Sequence, residues 1–220
     1  MGNIAIDGPA GAGKSTIAKM VAKELGFVYV DTGAMYRAMA LYMINKSVDP
    51  EDAQKISSTC QSADITIKYE NNEQVVYLNG ENVNGKIRAE EVGKMASVSS
   101  MNADVRKKLV ELQQKLASEI DVVMDGRDIG TVVLPNALLK VYLTASSRVR
   151  AERRFKELTA KGVECNIDVI EQDIIDRDYR DMHRENSPLM QAEDAVLVDS
   201  SDMTIEEVAA RIISLYKERA

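Results

Sequence analysis

Residues Gly8 to Ser15 read G-P-A-G-A-G-K-S, and no other segment so narrows what the chain can become. The octet matches G-x-x-x-x-G-K-[ST]. It follows a short apolar, β-branched run, Asn3–Asp7, and opens a helical pattern, Lys14–Leu25, that Gly26 stops. Gly8, Gly11 and Gly13 permit positive φ and close backbone approach. The N–H groups of a loop over Gly8, Pro9, Ala10, Gly11, Ala12 and Gly13 can therefore converge on phosphate oxygens at a helix start. Lys14 bridges the outer phosphates, Ser15 offers its hydroxyl to Mg²⁺, and Thr16 bonds the innermost phosphate. A glycine-rich turn that merely begins a helix is the competing explanation. The joint presence of strand, spacing, Lys-Ser and helix weighs against it.

The same alternation continues. Further strand-like runs lie at Phe27–Asp31, Val122–Asp125, Leu138–Thr144 and Ala195–Asp199, and helical patterns at Ala34–Asn45, Ser147–Lys161 and Ile205–Arg219. Near-continuous apolarity suits strands covered on both faces, so the expected class is α/β with a parallel sheet. Strands one, two, three and five end in Asp, which puts carboxylates at the edge where α/β sites form. Two stretches depart from this pattern. Ile65–Val83 alternates and carries turn signals at Glu70-Asn71-Asn72-Glu73 and Asn79-Gly80, which predicts a small antiparallel meander. Asp168–Arg184 predicts a long, charged helix with Arg177, Arg180 and Arg184 on one face.

Composition removes several functions. The chain of 220 residues carries a net charge of −7, against a protein that coats nucleic acid. It has no Trp and only two Phe, so a base-stacking platform is not expected. No apolar run approaches the ~20 residues of a membrane span, and no secretory leader is recognisable. Cytoplasm is the expected compartment. One histidine, His183, precludes a multi-imidazole metal site and reads as a surface residue. Cys60 and Cys165 have neither redox nor zinc spacing. The base-reading N/T-K-x-D of a GTPase is missing.

The arginines suggest the reaction. Arg127 lies in Asp125-Gly126-Arg127-Asp128, at a buried strand's carboxyl edge, where a guanidinium suits a bidentate phosphate contact. Arg148 and Arg150 could equally be a solvated ion-pair face. Joined to the phosphate loop, these residues point to transfer of a phosphoryl group from ATP to a nucleoside monophosphate. The acceptor's second pKa is near ~6, so it is already an oxyanion and needs no general base. Catalysis reduces to positioning and positive charge, with the charged helix closing over the site to exclude water.

Four segments, G-P-A-G-A-G-K-S-T at 8–16, D-T-G-A-M-Y-R at 31–37, D-G-R-D-I-G-T-V-V at 125–133 and R-D-Y-R-D at 177–181, together resemble the bacterial cytidylate (CMP) kinases. The resemblance covers nearly the whole chain. It implies a P-loop NTPase-type five-stranded parallel sheet with flanking helices, a small antiparallel-sheet NMP-binding insert and a helical lid. The core would comprise 1–31, 111–146 and 188–220, the NMP-binding region 32–110 with its meander at about 64–84, and the lid 147–187, in one compact unit. It implies acceptor-phosphate contacts at Arg37, Arg127 and Arg184, with Thr32 nearby. It also implies cytosine contacts at Ser97, Arg106 and Asp128, ribose contacts at Arg177 and Asp181, and ATP-phosphate contacts at Arg150 and Arg154.

The base assignment also has a chemical rationale. A carboxylate accepts from cytosine's exocyclic amine, whereas uracil would set a carbonyl against it. Asp128 could instead orient Arg127 or Arg106. The expected activity is ATP- and Mg²⁺-dependent phosphorylation of CMP and dCMP by a cytoplasmic monomer with no stable nucleic-acid or membrane partner. Lys14, Arg127, Arg150, Arg154 and Arg184 would be catalytic. Alternatives are a P-loop kinase for UMP, AMP or a small alcohol, or an ATPase or RNA-binding regulator using the basic stretch at 148–156.

Overall fold

The structure, a computed structural model, describes residues 2–70 and 73–220. Five strands form one sheet: β1 (Ile4–Asp7), β2 (Val28–Asp31), β6 (Val122–Gly126), β7 (Leu139–Thr144) and β8 (Val196–Asp199), in the order β2-β6-β1-β7-β8. β1 pairs in parallel with β6 and β7, and β7 with β8. All four β1 residues are buried, which explains why the run shows no polar alternation. Ile4, Ile6, Val123, Leu139, Val141 and Leu143 join Ile17, Ala18 and Val21 of α1 (Lys14–Leu25) and Val208 and Ile212 of α8 (Ile205–Lys217) in one core cluster. Truncating Ile6 to Ala in such a core costs about 2–5 kcal/mol.

The helix boundaries follow local chemistry. α1 ends at Gly26, left-handed at φ 71°, as the sequence predicts. α2 (Thr32–Asn45) starts two residues earlier than Ala34, because the Asp31 carboxylate accepts from Ala34 N. α6 (Ser147–Ala160) and α8 carry Ser146 and Thr204 caps, the latter a full capping box. The third core strand, β6, runs through Asp125 to Gly126 rather than ending in Asp. α7 (Ile167–His183) stops before Arg184, whose backbone is extended at φ −67°, ψ 143°. The helix-face alignment of Arg184 with Arg177 and Arg180 therefore does not hold. Pro188, just beyond, cannot continue a helix, and Arg184 Nε instead donates to Ser187 O at 2.7 Å.

The chain divides into two compact units, one comprising residues 1–29 and 120–220 and the other 30–119. Residue 110, the expected end of the NMP-binding region, lies within α5 (Ala103–Glu119). In the second unit α2 packs against α4 (Glu90–Ser99) and β4 (Glu73–Leu78), and α3 (Ala53–Cys60) packs on α5. β3 (Ile65–Glu70), β4 (Glu73–Leu78) and β5 (Glu81–Asn82) form the expected antiparallel meander. Its first turn signal includes Asn71 and Asn72, which lie outside the described residues.

Candidate active site

Parallel register sets the site's frame. Asp7, the last residue of β1, lies opposite Gly126 on one side and Tyr142 on the other. The phosphate loop after β1 and the Arg127-Asp128 pair after β6 therefore leave the same edge of the sheet, where α/β proteins bind ligands. Gly8 has φ 149°, and a Cβ there would lie 1.9 Å from the Leu143 carbonyl oxygen, so only glycine fits.

Lys14, at the first position of α1, is buried and donates from Nζ to Pro9 O at 2.7 Å. Burial and then the Arg127 charge push its ammonium down to about 7, against the attraction of Asp125 and Asp7. Ser15 Oγ donates to Asp125 Oδ2 at 2.9 Å, and Tyr29 OH donates to Asp125 Oδ1 at 2.8 Å. Asp125 thus bonds Ser15 directly and acts on Lys14 through its charge.

Around this loop stand buried ion pairs. Arg127 Nε donates to Asp181 Oδ2 at 2.8 Å. Burial raises the Asp181 carboxyl, yet Arg127, with Arg177 and Arg184, holds it below the usual carboxylate range. Arg184 Nη2 lies 3.7 Å from Asp128 Oδ1, both side chains being almost fully buried. Arg150 is buried, so the solvated-face reading fails for it: Nη1 donates to Ala10 O at 2.8 Å and pairs with Asp178 at 2.6 Å, and Nε donates to Ala145 O. That reading holds for Arg148, which pairs with Asp168, Glu171 and Glu152 in solvent. Arg154 is exposed and pairs with Glu157. Arg177 is half-buried on α7. His183 is exposed and stacks on Tyr179 at 4.0 Å.

In the second unit, Thr32 opens α2 and is buried, and Arg37 is one turn further on and half-buried. Arg106, from α5, is 4% exposed, donates to Ser100 O at 3.2 Å and lies 5.6 Å over the Tyr36 ring. Ser97 is half-buried on α4.

Three positioning groups were not singled out from the sequence. Gln74 of the meander exchanges hydrogen bonds with both backbone groups of Asp31, at 2.7 and 3.2 Å. Arg88 pairs with the Asp31 carboxylate at 2.8 Å. Asp178 bridges Arg150 and the Ala10 N–H, the latter at 3.3 Å. Of these, Asp178 alone could have drawn notice beforehand, because it lies in R-D-Y-R-D beside Arg177.

A phosphate loop at the centre of a parallel β2-β6-β1-β7-β8 sheet, ringed by buried arginines and lacking a histidine base, defines a P-loop phosphotransferase. A cytidylate kinase family model matches residues 4–218. The chain is 50% identical over 214 residues to the cytidylate kinase of Caldicellulosiruptor bescii, covering 97% of this chain and 95% of that one. It is also 50% identical over 217 residues to that of Listeria welshimeri, covering 98% and 96%. The chain therefore belongs to the cytidylate kinase family. A crystal structure of an uncharacterized protein from Eubacterium ventriosum shares the fold, with a TM-score of 0.54 at 10% identity and complete coverage of both chains. Among the described residues, no helix is long and apolar enough to cross a membrane.

Proposed function

We propose that the protein transfers the γ-phosphoryl group of ATP to CMP and dCMP. An acceptor phosphate oxygen bonds to the γ-phosphorus while the bond to the β–γ bridging oxygen breaks, and CDP (or dCDP) and ADP leave. The observation that carries this reading is the shared sheet edge, where the phosphate loop with Lys14 meets the Arg127–Asp181 and Arg184–Asp128 pairs. Two anions that repel each other need that positive charge held ready before they meet.

The backbone N–H groups of residues 8–16 other than Pro9 hold the donor phosphates, and Lys14, released from the Pro9 carbonyl, bridges the outer two. Arg150, fixed on the Ala10 carbonyl, and Arg154 serve the donor phosphates. Arg127 and Arg184 serve the acceptor phosphate, a role the family resemblance also gives to Arg37. Asp128 accepts from the cytosine amine, Arg106 donates to the ring acceptors, and Ser97 and Thr32 complete recognition. Arg177 and Asp181 hold the ribose.

The Ser15 hydroxyl and the Asp125 carboxylate, 2.9 Å apart, suit Mg²⁺. That ion takes few protein ligands and keeps phosphate oxygens and water, and the described residues contain no group of three or more acidic, His or Cys side chains able to hold a metal. When bound, it supplies charge neutralisation on the transferring phosphates. Work in the cytoplasm fits two free cysteines, Cys60 and Cys165.

The test is ADP formation from ATP and Mg²⁺ with each common nucleoside monophosphate in turn. CMP and dCMP should support turnover well above the others. Folded protein that forms no ADP with CMP would end the proposal.

A further inference from the structure

Asp7 lies outside both substrate-binding sets, yet it connects them. The residue is 5% exposed. Oδ1 accepts from the Ile129 N–H at 2.8 Å and Oδ2 from the Gly130 N–H at 2.7 Å. These amides open a five-residue π-helix, Ile129–Val133, whose N-cap position is Asp128. Ordinarily the capping residue's own side chain would satisfy such amides. Asp128 makes no side-chain cap bond, and its carboxylate faces Arg184 instead. The cap thus comes from a different strand.

Chain position adds the second half of the argument. Asp7 directly precedes Gly8, the first residue of the phosphate loop, while Arg127 and Asp128 directly precede the amides it binds. Gly130 is held closely: a Cβ there would lie 3.3 Å from Asp7 Oδ2 and 3.2 Å from Lys140 Cδ. Lys140 turns its ammonium away to Asp194, at 2.9 Å. Helical segments of the π type are uncommon and gather at functional sites.

We propose that Asp7 is a positioning residue: by capping Ile129 and Gly130 it holds Arg127 and Asp128 in register with the phosphate loop. The proposal rests on the reading of Arg127 and Asp128 as acceptor-binding residues. Burial pushes the Asp7 carboxyl up to about 6, against its two amide bonds, with Asp128 raising it further and Lys14 lowering it. The other ionisable neighbours, both on β7, are Lys140 and Tyr142. Protonation puts a hydrogen on one oxygen and weakens one of the two amide bonds.

Asp7→Asn tests this directly. The amide keeps one acceptor but opposes the second N–H with its own. Wild type and variant are compared for CMP turnover, for affinity toward a fluorescent ATP analogue and for their pH profiles. The variant should bind the ATP analogue within about threefold of wild type while kcat for CMP falls by about 10- to 100-fold. Wild type should lose activity below pH ~6 with two ionisations, Asp7 and the acceptor phosphate, and the variant with one.

Equal kcat/KM in both proteins, or ATP affinity falling in step with turnover, overturns the proposal. Should Asp7→Asn not fold, amide exchange in wild type decides. Protection at Ile129 and Gly130 should drop as pH falls through 6, and unchanged protection refutes the cap. Wild type that makes no CDP would refute the acceptor reading instead, leaving the exchange result to judge the cap alone.

Discussion

Lys14→Met should make the unliganded protein more stable and nearly inactive. The lysine is 6% exposed, and its ammonium pKa falls from 10.5 to about 7. At ~1.4 kcal/mol per pH unit, that shift penalises the buried charge by about 5 kcal/mol. Methionine removes the charge but leaves the Pro9 carbonyl without its donor, a loss of about 1–2 kcal/mol. The net gain near neutral pH is then about 3 kcal/mol, or roughly 6–12 °C in Tm for a chain of this size. The sign depends on pH. Because the folded value is depressed, the lysine imposes no penalty above 10.5 and the full penalty once pH falls through about 7. Thermal unfolding of both proteins without nucleotide, at pH 6.5 and pH 10, reads this directly. The variant should lead at the lower pH and lose its lead at the higher. ATP should raise the wild-type Tm and barely move the variant's. A variant that melts below wild type at pH 6.5, or leads equally at both pH values, refutes the argument that charge is held under strain for the phosphates.

Arg127→Ala should reduce turnover by at least about 100-fold. It should also destabilise by about 3–5 kcal/mol, because Asp181 is left buried without its partner. Adding Asp181→Ala should restore stability but not turnover, as paired denaturation and ADP-release assays will show. Asp128→Ala should narrow the preference for CMP over UMP in kcat/KM, and an unchanged ratio removes its base-reading role. Gly8→Ala should abolish ATP binding or soluble expression, since its Cβ would collide with the Leu143 carbonyl.

What the sequence made legible was what the chain encodes locally. The phosphate loop, α1 with its Gly26 stop and the parallel sheet each follow from a few adjacent residues, and each is found where expected. Contacts between distant residues were not legible. Gln74 reaches Asp31 across 43 positions, and Asp7 reaches Gly130 across 123, so no local pattern marks either. α4 and α5 went unpredicted for another reason. The buried face of α5 includes Arg106 and Gln113 among Val105, Leu109 and Ala117, which interrupts the apolar stripe that would reveal a helix. The Arg127–Asp181 pair was not legible either, because it depends on how α7 packs and not on spacing.

The central claim is that donor and acceptor nucleotides are held together, phosphate to phosphate, on one protein. Calorimetric titration with adenosine and cytidine joined 5′ to 5′ by a pentaphosphate tests it. The account predicts a single tight complex per chain, formed to the exclusion of both ATP and CMP, with ATP and CMP able to bind at once in its absence. ATP and CMP that displace one another would contradict it.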